Sequence, residues 1–208
     1  MGEVTMNVYK IILSLSAMFL FHSCYIVHRQ TVVDFDYCYN NTKTGIESQI
    51  NVNGYYKINY IFKDERIEKE SVRTEVILFL DNGIYIEAPS IDFFFRAIKN
   101  EQWDSKGFDV GIYSIHNDTI KVEYIYIGST TSGCVTVMYK IIDSNTLSKV
   151  FYGNCDNPPK AFSSSHSVST AKFIPYDTIP LIDRIWIKEK DWFWCDKEKY
   201  KEWRRSRK

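Results

Sequence analysis

The polypeptide consists largely of short runs in which apolar and polar residues alternate. In one such run Ile120, Val122 and Tyr124 alternate with Lys121 and Glu123. Because successive side chains of a β-strand point to opposite faces, this period of two predicts a strand with one covered face and one face partly in contact with water. The chain is therefore predicted to be rich in strands.

Polar turn residues between the runs predict three hairpins. The pairs of runs and their turns are 73–80 with 84–88 around Asn82-Gly83, 108–115 with 120–127 around Asn117-Asp118, and 134–142 with 147–155 around Ser144-Asn145. The second turn places Ile115 opposite Ile120, and the third places Ile142 opposite Leu147. Each hairpin joins neighbouring antiparallel strands.

One short helix is predicted between the first two hairpins. Ile91, Phe94, Phe95 and Ile98 recur at helical spacing, and Ser90 stands before them as a good N-cap. We expect this helix to plug or flank the sheet.

The carboxyl end differs in composition from the runs that precede it. Asp196 is placed to cap a last helix that runs to Arg205, and the basic residues of this helix suit either a solvated face or contact with a membrane surface or another anionic partner. An aromatic cluster that should pack against the body precedes the helix: Trp186, Trp192, Phe193 and Trp194.

Counting the runs gives about eight strands, one inserted helix and no alternation of strands with helices. This pattern predicts an all-β fold, a single antiparallel barrel or sandwich of about eight strands with a C-terminal helix. The predicted organisation is a signal peptide at 1–23, a lipidated N-terminus and tether at 24–50, a β-barrel domain at 51–175, and an aromatic segment with a basic helix at 176–208.

Composition and charge narrow the class of protein. The 208 residues are 45% hydrophobic and 25% charged, which is typical of a globular chain and argues against disorder or a coiled coil. The 26 basic and 26 acidic residues cancel, so the chain lacks the positive field that non-specific nucleic-acid binding requires. Nucleic acid is therefore not expected as a partner.

The amino terminus has the pattern of a secretory signal peptide. Residues 11–21 form a charge-free apolar run behind Lys10, and the run is too short to span a bilayer. Leu20-Phe21-His22-Ser23-Cys24 resembles the lipobox of Gram-negative bacterial lipoproteins. The resemblance implies that the Cys24 thiol receives a diacylglyceryl group, and that cleavage before it leaves a membrane-anchored chain. The alternative is a buried helix of a cytosolic domain, with Cys24 in its core.

Four further cysteines are an even number in a chain predicted to enter an oxidising compartment. The third hairpin places Cys134 directly opposite Cys155, where a cross-strand disulfide is geometrically plausible. Cys38 and Cys195 then pair by elimination and join the two ends of the mature chain. The alternative is four reduced cysteines.

Metal, cofactor and hydrolase chemistry have little support. No Cys-x-x-Cys pair occurs and the four histidines are scattered, so neither a metal nor a cofactor is expected. Residues 163–166 place three serines beside His166, with Asp177 downstream, and these are the residue types of a serine hydrolase. A Gly-x-Ser-x-Gly elbow is lacking, and the alternative is a serine-rich surface loop.

The order of elements from Gly54 to residue 174 resembles the small barrels of the lipocalin family. An early Gly54-Tyr55-Tyr56 opens a strand, successive hairpins follow, and a closing strand lies near 169–174. The resemblance implies an eight-stranded barrel whose cavity can hold a small apolar molecule.

Three functional hypotheses follow. The first is a non-enzymatic cell-envelope lipoprotein, anchored through Cys24 in the outer membrane and facing the periplasm, whose barrel carries a small apolar ligand. The second is an interaction or structural module that holds another envelope protein or a glycan. The third is a serine hydrolase.

Overall fold

A computed structural model describes residues 36–64, 69–100, 102, 107–127, 132–155, 169–177 and 185–207. Chain contacts divide the protein into a unit at 1–34 and a unit at 35–208. The first unit, with the predicted signal peptide and Cys24, lies outside the described residues. The fold below is that of the second unit.

The described part of the second unit contains eight strands and two short helices. The strands are β1 (Gly54–Asp64), β2 (Lys69–Phe79), β3 (Ile84–Ala88), β4 (Asp109–His116), β5 (Thr119–Ile127), β6 (Ser132–Asp143), β7 (Thr146–Asn154) and β8 (Ser169–Pro175). The helices are α1 (Ile91–Lys99) and α2 (Lys197–Ser206), with 3-10 turns at Ile46–Ser48, Trp186–Glu189 and Asp191–Phe193.

The strands form a closed antiparallel barrel. Each strand pairs with the next along the chain, and β8 pairs with β1 to complete the ring. This order confirms the prediction of an all-β fold with about eight strands, and it decides for a barrel over a sandwich. Closure leaves the sheet without a free edge.

The first two hairpins are confirmed. At the turn between β2 and β3 the Leu80 amide donates to the carbonyl of Ile84, and Gly83 adopts a φ of 93°, a left-handed conformation that favours glycine. Between β4 and β5, Ile115 pairs with Ile120 as predicted. Asn117 in that turn has a φ of 55°.

The third hairpin has the predicted turn but a more complex register. Asp143 pairs with Thr146, yet Leu147 pairs with Ile141, so the predicted pairing of Ile142 with Leu147 is wrong. Ile142 is an extra residue in β6 and is 57% exposed. This bulge brings Leu147 onto the inward face beside Ile141. An extra residue in β7, Val150, then restores the original register.

The two predicted disulfides are present. Because the two bulges offset each other, Cys134 and Cys155 lie opposite one another with 5.4 Å between their Cα atoms. Cys38 and Cys195 are joined with a Cα separation of 4.9 Å. The second bond ties the segment before the barrel to the segment after it.

The inward side chains form one apolar cluster. Phe79 is at its centre, with ring centroids 5.4 to 6.1 Å from those of Tyr56, Tyr85, Tyr113 and Tyr139. The other buried members are Ile46, Ile50, Ile58, Ile77, Ile120, Val122, Tyr124, Val135, Val137, Leu147 and Ala171.

A second apolar cluster covers the outside of β2, β3 and β4. Helix α1 contributes Phe94 and Ala97, and the Ser90 hydroxyl accepts a hydrogen bond from the Phe93 amide as the predicted N-cap. The helix therefore flanks the barrel rather than plugging it. Phe95, expected on the covered face, is 39% exposed.

The carboxyl-terminal segment packs against the same cluster, as predicted. Trp186, Phe193 and Trp194 are buried there. The Asp196 carboxylate caps α2 by accepting hydrogen bonds from the amides of Glu198 and Lys199.

Residues 36–50, which the sequence analysis assigns to the tether, are part of the folded body. Tyr39 is buried and stacks on Phe193, and its amide donates to the Phe193 carbonyl. Ile46 and Ile50 are buried in the cluster inside the barrel. The sparse apolar residues of this stretch gave no periodic pattern, yet two isoleucines suffice to close one end of the barrel.

Candidate functional site

The barrel lumen is apolar at one end and ionisable at the other. Ile46 and Ile50 close the apolar end. Toward the other end, the inward-facing residues of β2, β3 and β4 become acidic. The acidic residues are Glu75, two residues before Ile77; Glu87, two after Tyr85; and Asp109, two before Gly111. We call this region the charged end and define it by the side chains of Tyr60, Glu75, Glu87, Asp109, Tyr124, Lys149 and Tyr152.

Strand register brings the carboxylates together. Glu87 on β3 pairs with Asp109 on β4 and with Ile77 on β2. Glu75 is the next inward-facing residue on β2 after Ile77, so it lies diagonally across from Glu87. Glu87 is 7% exposed and Glu75 is 8% exposed. The Arg73 Nε lies 3.3 Å from Glu75 Oε1. Three carboxylates thus share one end of the lumen.

Phenol groups partner the deepest carboxylate. The Tyr85 hydroxyl donates to Glu87 Oε2 at 2.6 Å and lies 3.0 Å from the Tyr139 hydroxyl. Burial raises the pKa of the Tyr85 and Tyr139 phenols well above the ordinary value, and the nearby Glu87 charge adds to it. Both phenols therefore stay protonated and act as hydrogen-bond donors.

The pKa is raised for two of these carboxyl groups, Glu87 and Asp109. Burial raises the pKa of Glu87 to about 7, Lys149 opposes this shift, and the Glu75 and Asp109 carboxylates add to it. Burial and the charge of Glu75 raise the pKa of Asp109 to about 6, while Arg73 opposes the shift. The carboxylates repel one another, and additional positive charge at this end would relieve the repulsion.

A lysine from β7 places an ammonium at the charged end, in addition to the Arg73 guanidinium that pairs with Glu75. The Lys149 ammonium donates to the Tyr60 hydroxyl at 2.9 Å. The ammonium also lies over two aromatic faces, 5.3 Å from the centroid of the Tyr60 ring and 5.0 Å from that of Tyr152. This is cation–π geometry, so the charged end holds an ammonium between tyrosine rings and carboxylates.

Solvent reaches the charged end from the side of Tyr152, which is 50% exposed, while Tyr60, Asp109 and Lys149 are half-buried. The segments 65–68, 128–131 and 156–168, which join strands at this end, lie outside the described residues. Within the described residues, no group of three or more His, Cys, Asp or Glu side chains is placed to hold a metal ion.

The residues singled out in the sequence fall in different places. The Cys134–Cys155 disulfide joins the start of β6 to the residue after β7, at the same end of the barrel as the charged end, but Cys134 neighbours the inward Val135 and so faces outward. The Cys38–Cys195 disulfide lies outside the strands of the barrel. Cys24 and the serines and histidine of 163–166 are outside the described residues, so the anchor and the hydrolase interpretation stay predictions. Asp177 is exposed at the end of the described stretch 169–177.

Sequence reasoning missed the charged end. A usable signal was present in β3, where Tyr85 and Glu87 are two residues apart and therefore share the inward face. Asp109 and Lys149 are also at inward positions, but each looks like an ordinary strand-end charge when its own strand is considered alone.

The fold and this site define a class of protein: a small closed antiparallel β-barrel with an aromatic interior and ionisable groups at one end. No protein-family model, curated protein or solved structure matches the chain. None of the helices in the described part of the chain has the length and apolar character needed to cross a membrane.

Proposed function

We propose that this chain is an exported, non-enzymatic binding protein, anchored to the cell envelope through a lipid on Cys24, whose barrel binds a small organic cation at the charged end. The signal-like apolar run and the residues before Cys24 support the anchor. The two disulfides support export, since structural disulfides persist mainly in oxidising compartments.

The observation that carries the ligand-binding part is the burial of Glu75 and Glu87 among tyrosines. A buried carboxylate is costly unless it is paired, and residues that accept this cost are often functional. Lys149 shows that an ammonium fits between the Tyr60 and Tyr152 rings. A ligand ammonium beside Lys149 would contact ring faces and carboxylate oxygens of the same kind, and it would neutralise the one carboxylate of Glu75, Glu87 and Asp109 that Arg73 and Lys149 leave uncompensated.

Apolar ligands have less support from the described residues. The protein's own rings, with Phe79 at their centre, occupy the apolar end of the lumen, and Ile46 closes it. A hydrophobic carrier needs empty apolar volume, whereas this region is occupied by side chains. The interaction-module hypothesis uses an aromatic surface and the basic tail, but Trp186 and Trp194 are buried in the apolar cluster outside the barrel.

Isothermal titration calorimetry of the purified protein tests the ligand class. The probes are choline, diaminobutane and dimethylbutanol, the last being an uncharged isostere of choline. We expect at least one of the two cations to bind and dimethylbutanol to bind at least about tenfold more weakly, because only a cation is attracted by the carboxylates and by the faces of the tyrosine rings. Binding of dimethylbutanol as tight as that of the preferred cation, or no binding of either cation, would overturn the proposal.

Two variants locate the binding. Glu87→Gln should weaken binding of the preferred cation by about tenfold or more, since it removes a carboxylate that the ligand would pair with. Glu47→Gln removes an exposed carboxylate near the opposite end and should leave the affinity unchanged. If both variants bind alike, the cation is not held at the charged end.

Mass spectrometry of the native protein tests the anchor separately. A chain that starts at Cys24 and carries a diacylglyceryl group is expected. A chain that keeps residues 1–23 and an unmodified Cys24 would refute the anchor without affecting the calorimetric result.

A further inference from the structure

The helix α2 has an uneven distribution of charge. Residues 197–207 contain six basic residues (Lys197, Lys199, Lys201, Arg204, Arg205, Arg207) and two acidic residues (Glu198, Glu202). At 3.6 residues per turn, four of the six basic residues fall within about 100° of the helix circumference. These four are Lys197, Lys201, Arg204 and Arg205, and we call them the basic face.

The opposite side of α2 is attached to the body. The rings of Tyr200 and Trp203 lie 6.2 and 5.6 Å from that of Trp194. Lys199 donates to the Asn40 carbonyl at 3.3 Å, so this cation is already used inside the molecule. The basic face is therefore fixed in orientation, and it points away from the apolar cluster.

Much of the charge on the basic face is uncompensated. Lys201 pairs with Glu198 at 2.7 Å, and the Arg204 guanidinium lies over the Tyr200 ring. Lys197 and Arg205 are exposed and form no ion pair with any described residue.

The position of α2 indicates what this face meets. Cys195, two residues before the helix, is bonded to Cys38, and Tyr39 forms a β-bridge with Trp194. The polypeptide that leads back to Cys24 thus joins the folded body at the start of α2. Cys38 follows Cys24 by only about 14 residues, and even fully extended this stretch spans at most about 50 Å.

We propose that the basic face of α2 binds the headgroups of anionic phospholipids in the membrane that holds the lipid anchor. The inference rests on the anchor part of the proposed function. A single acyl attachment point leaves a protein free to tumble on its tether, while a polybasic patch near the tether adds a second contact. The barrel is then held in one orientation relative to the membrane.

Lysine acetylation followed by mass spectrometry tests this contact. The native mature protein, with its lipid intact, is reconstituted in vesicles of phosphatidylcholine alone or with phosphatidylglycerol. We expect Lys197 and Lys201 to be acetylated several-fold more slowly when phosphatidylglycerol is present, and Lys140, exposed on the barrel, to react equally in both. Protection should disappear in about 1 M salt, where charges are screened within about 3 Å.

A charge-reversal variant provides the control for side-chain identity. In the double variant Lys197→Glu with Arg205→Glu, protection of Lys201 in phosphatidylglycerol vesicles should be lost. A matched variant on the barrel, Lys140→Glu, should keep that protection. Equal acetylation of Lys201 in the two vesicle types would overturn the proposal, because protection would then not depend on anionic lipid.

The same acetylation measurement separates a failure of this lipid-binding proposal from a failure of the anchor on which it rests. If Cys24 carries no lipid, the anchor fails, and the labelling is repeated with vesicles added in excess to the unlipidated chain. Protection of Lys197 under those conditions still supports binding of anionic lipid by α2, and its absence refutes it.

Discussion

Replacing Glu87 with glutamine should make the protein more stable at alkaline pH and leave it unchanged in acid. The carboxylate is buried at the charged end, and its only hydrogen-bond donor shown in the described residues is the Tyr85 hydroxyl. Burial raises its pKa to about 7 from the ordinary value of 4.5, so the folded state holds the proton more tightly than the unfolded state. Glutamine has nearly the same shape and never ionises.

The size of the effect follows from the difference in pKa. Between pH 4.5 and pH 7 the folded protein keeps a proton on Glu87 that the unfolded chain has lost, so the free energy of unfolding falls as pH rises through this window. Each pKa unit corresponds to about 1.4 kcal/mol, and the loss is therefore about 3 kcal/mol in total. Glu87→Gln should recover this amount above pH 7 and nothing below pH 4.5.

Urea unfolding of the wild type and the variant at pH 4.5, 6 and 8 measures the difference directly. Because Asp109 also titrates, with a pKa raised to about 6, the comparison is made between the two proteins at each pH and not along one curve. Glu47→Gln, an exposed change, should follow the wild type throughout. A stability difference between Glu87→Gln and the wild type that varies by less than about 1 kcal/mol between pH 4.5 and pH 8 would refute the assignment of a buried, destabilised carboxylate.

Two further predictions concern the barrel and its covalent bonds. Phe79→Ala should lower the free energy of unfolding by about 3 to 5 kcal/mol in urea titrations, because the ring fills the centre of the lumen, whereas Phe79→Leu should cost clearly less; equal costs would contradict central packing. Replacing both cysteines of one disulfide by serine should cost more for Cys38–Cys195 than for Cys134–Cys155, since the closed loops span 157 and 21 residues. Loop entropy gives about 5 and 3 kcal/mol, and the reverse order in thermal unfolding would contradict that account.

The sequence predicted the features that depend on neighbours along the chain. The turn between β4 and β5 fixes the pairing of Ile115 with Ile120, because a two-residue loop leaves one register that keeps the apolar residues on one face. Ser90 and Asp196 cap their helices for equally local reasons, since each needs an amide two or three residues ahead. Such signals are independent of the rest of the fold.

Features set by distant parts of the chain were not predictable in this way. The bulge at Ile142 exists because Leu147 must share the inward face with Ile141, and that need appears only when the barrel closes. Ile46 and Ile50 close the lumen, although the residues around them show no regular spacing of apolar positions. The charged end is the strongest case, because Glu75, Glu87 and Asp109 belong to three strands and meet only through the register.

The predicted gain in stability and the predicted loss of binding in Glu87→Gln have opposite signs, and this opposition is the best test of a functional charged end. A carboxylate retained for folding should weaken the protein when it is neutralised. A carboxylate retained for a ligand should do the reverse, since the cost of burying it is offset only when the cation arrives. The affinity for a cation should therefore rise with pH through about 7 as Glu87 ionises, over the same window in which the unliganded barrel loses stability. If binding and stability instead fall together, Glu87 is a structural residue and the cation site must lie elsewhere.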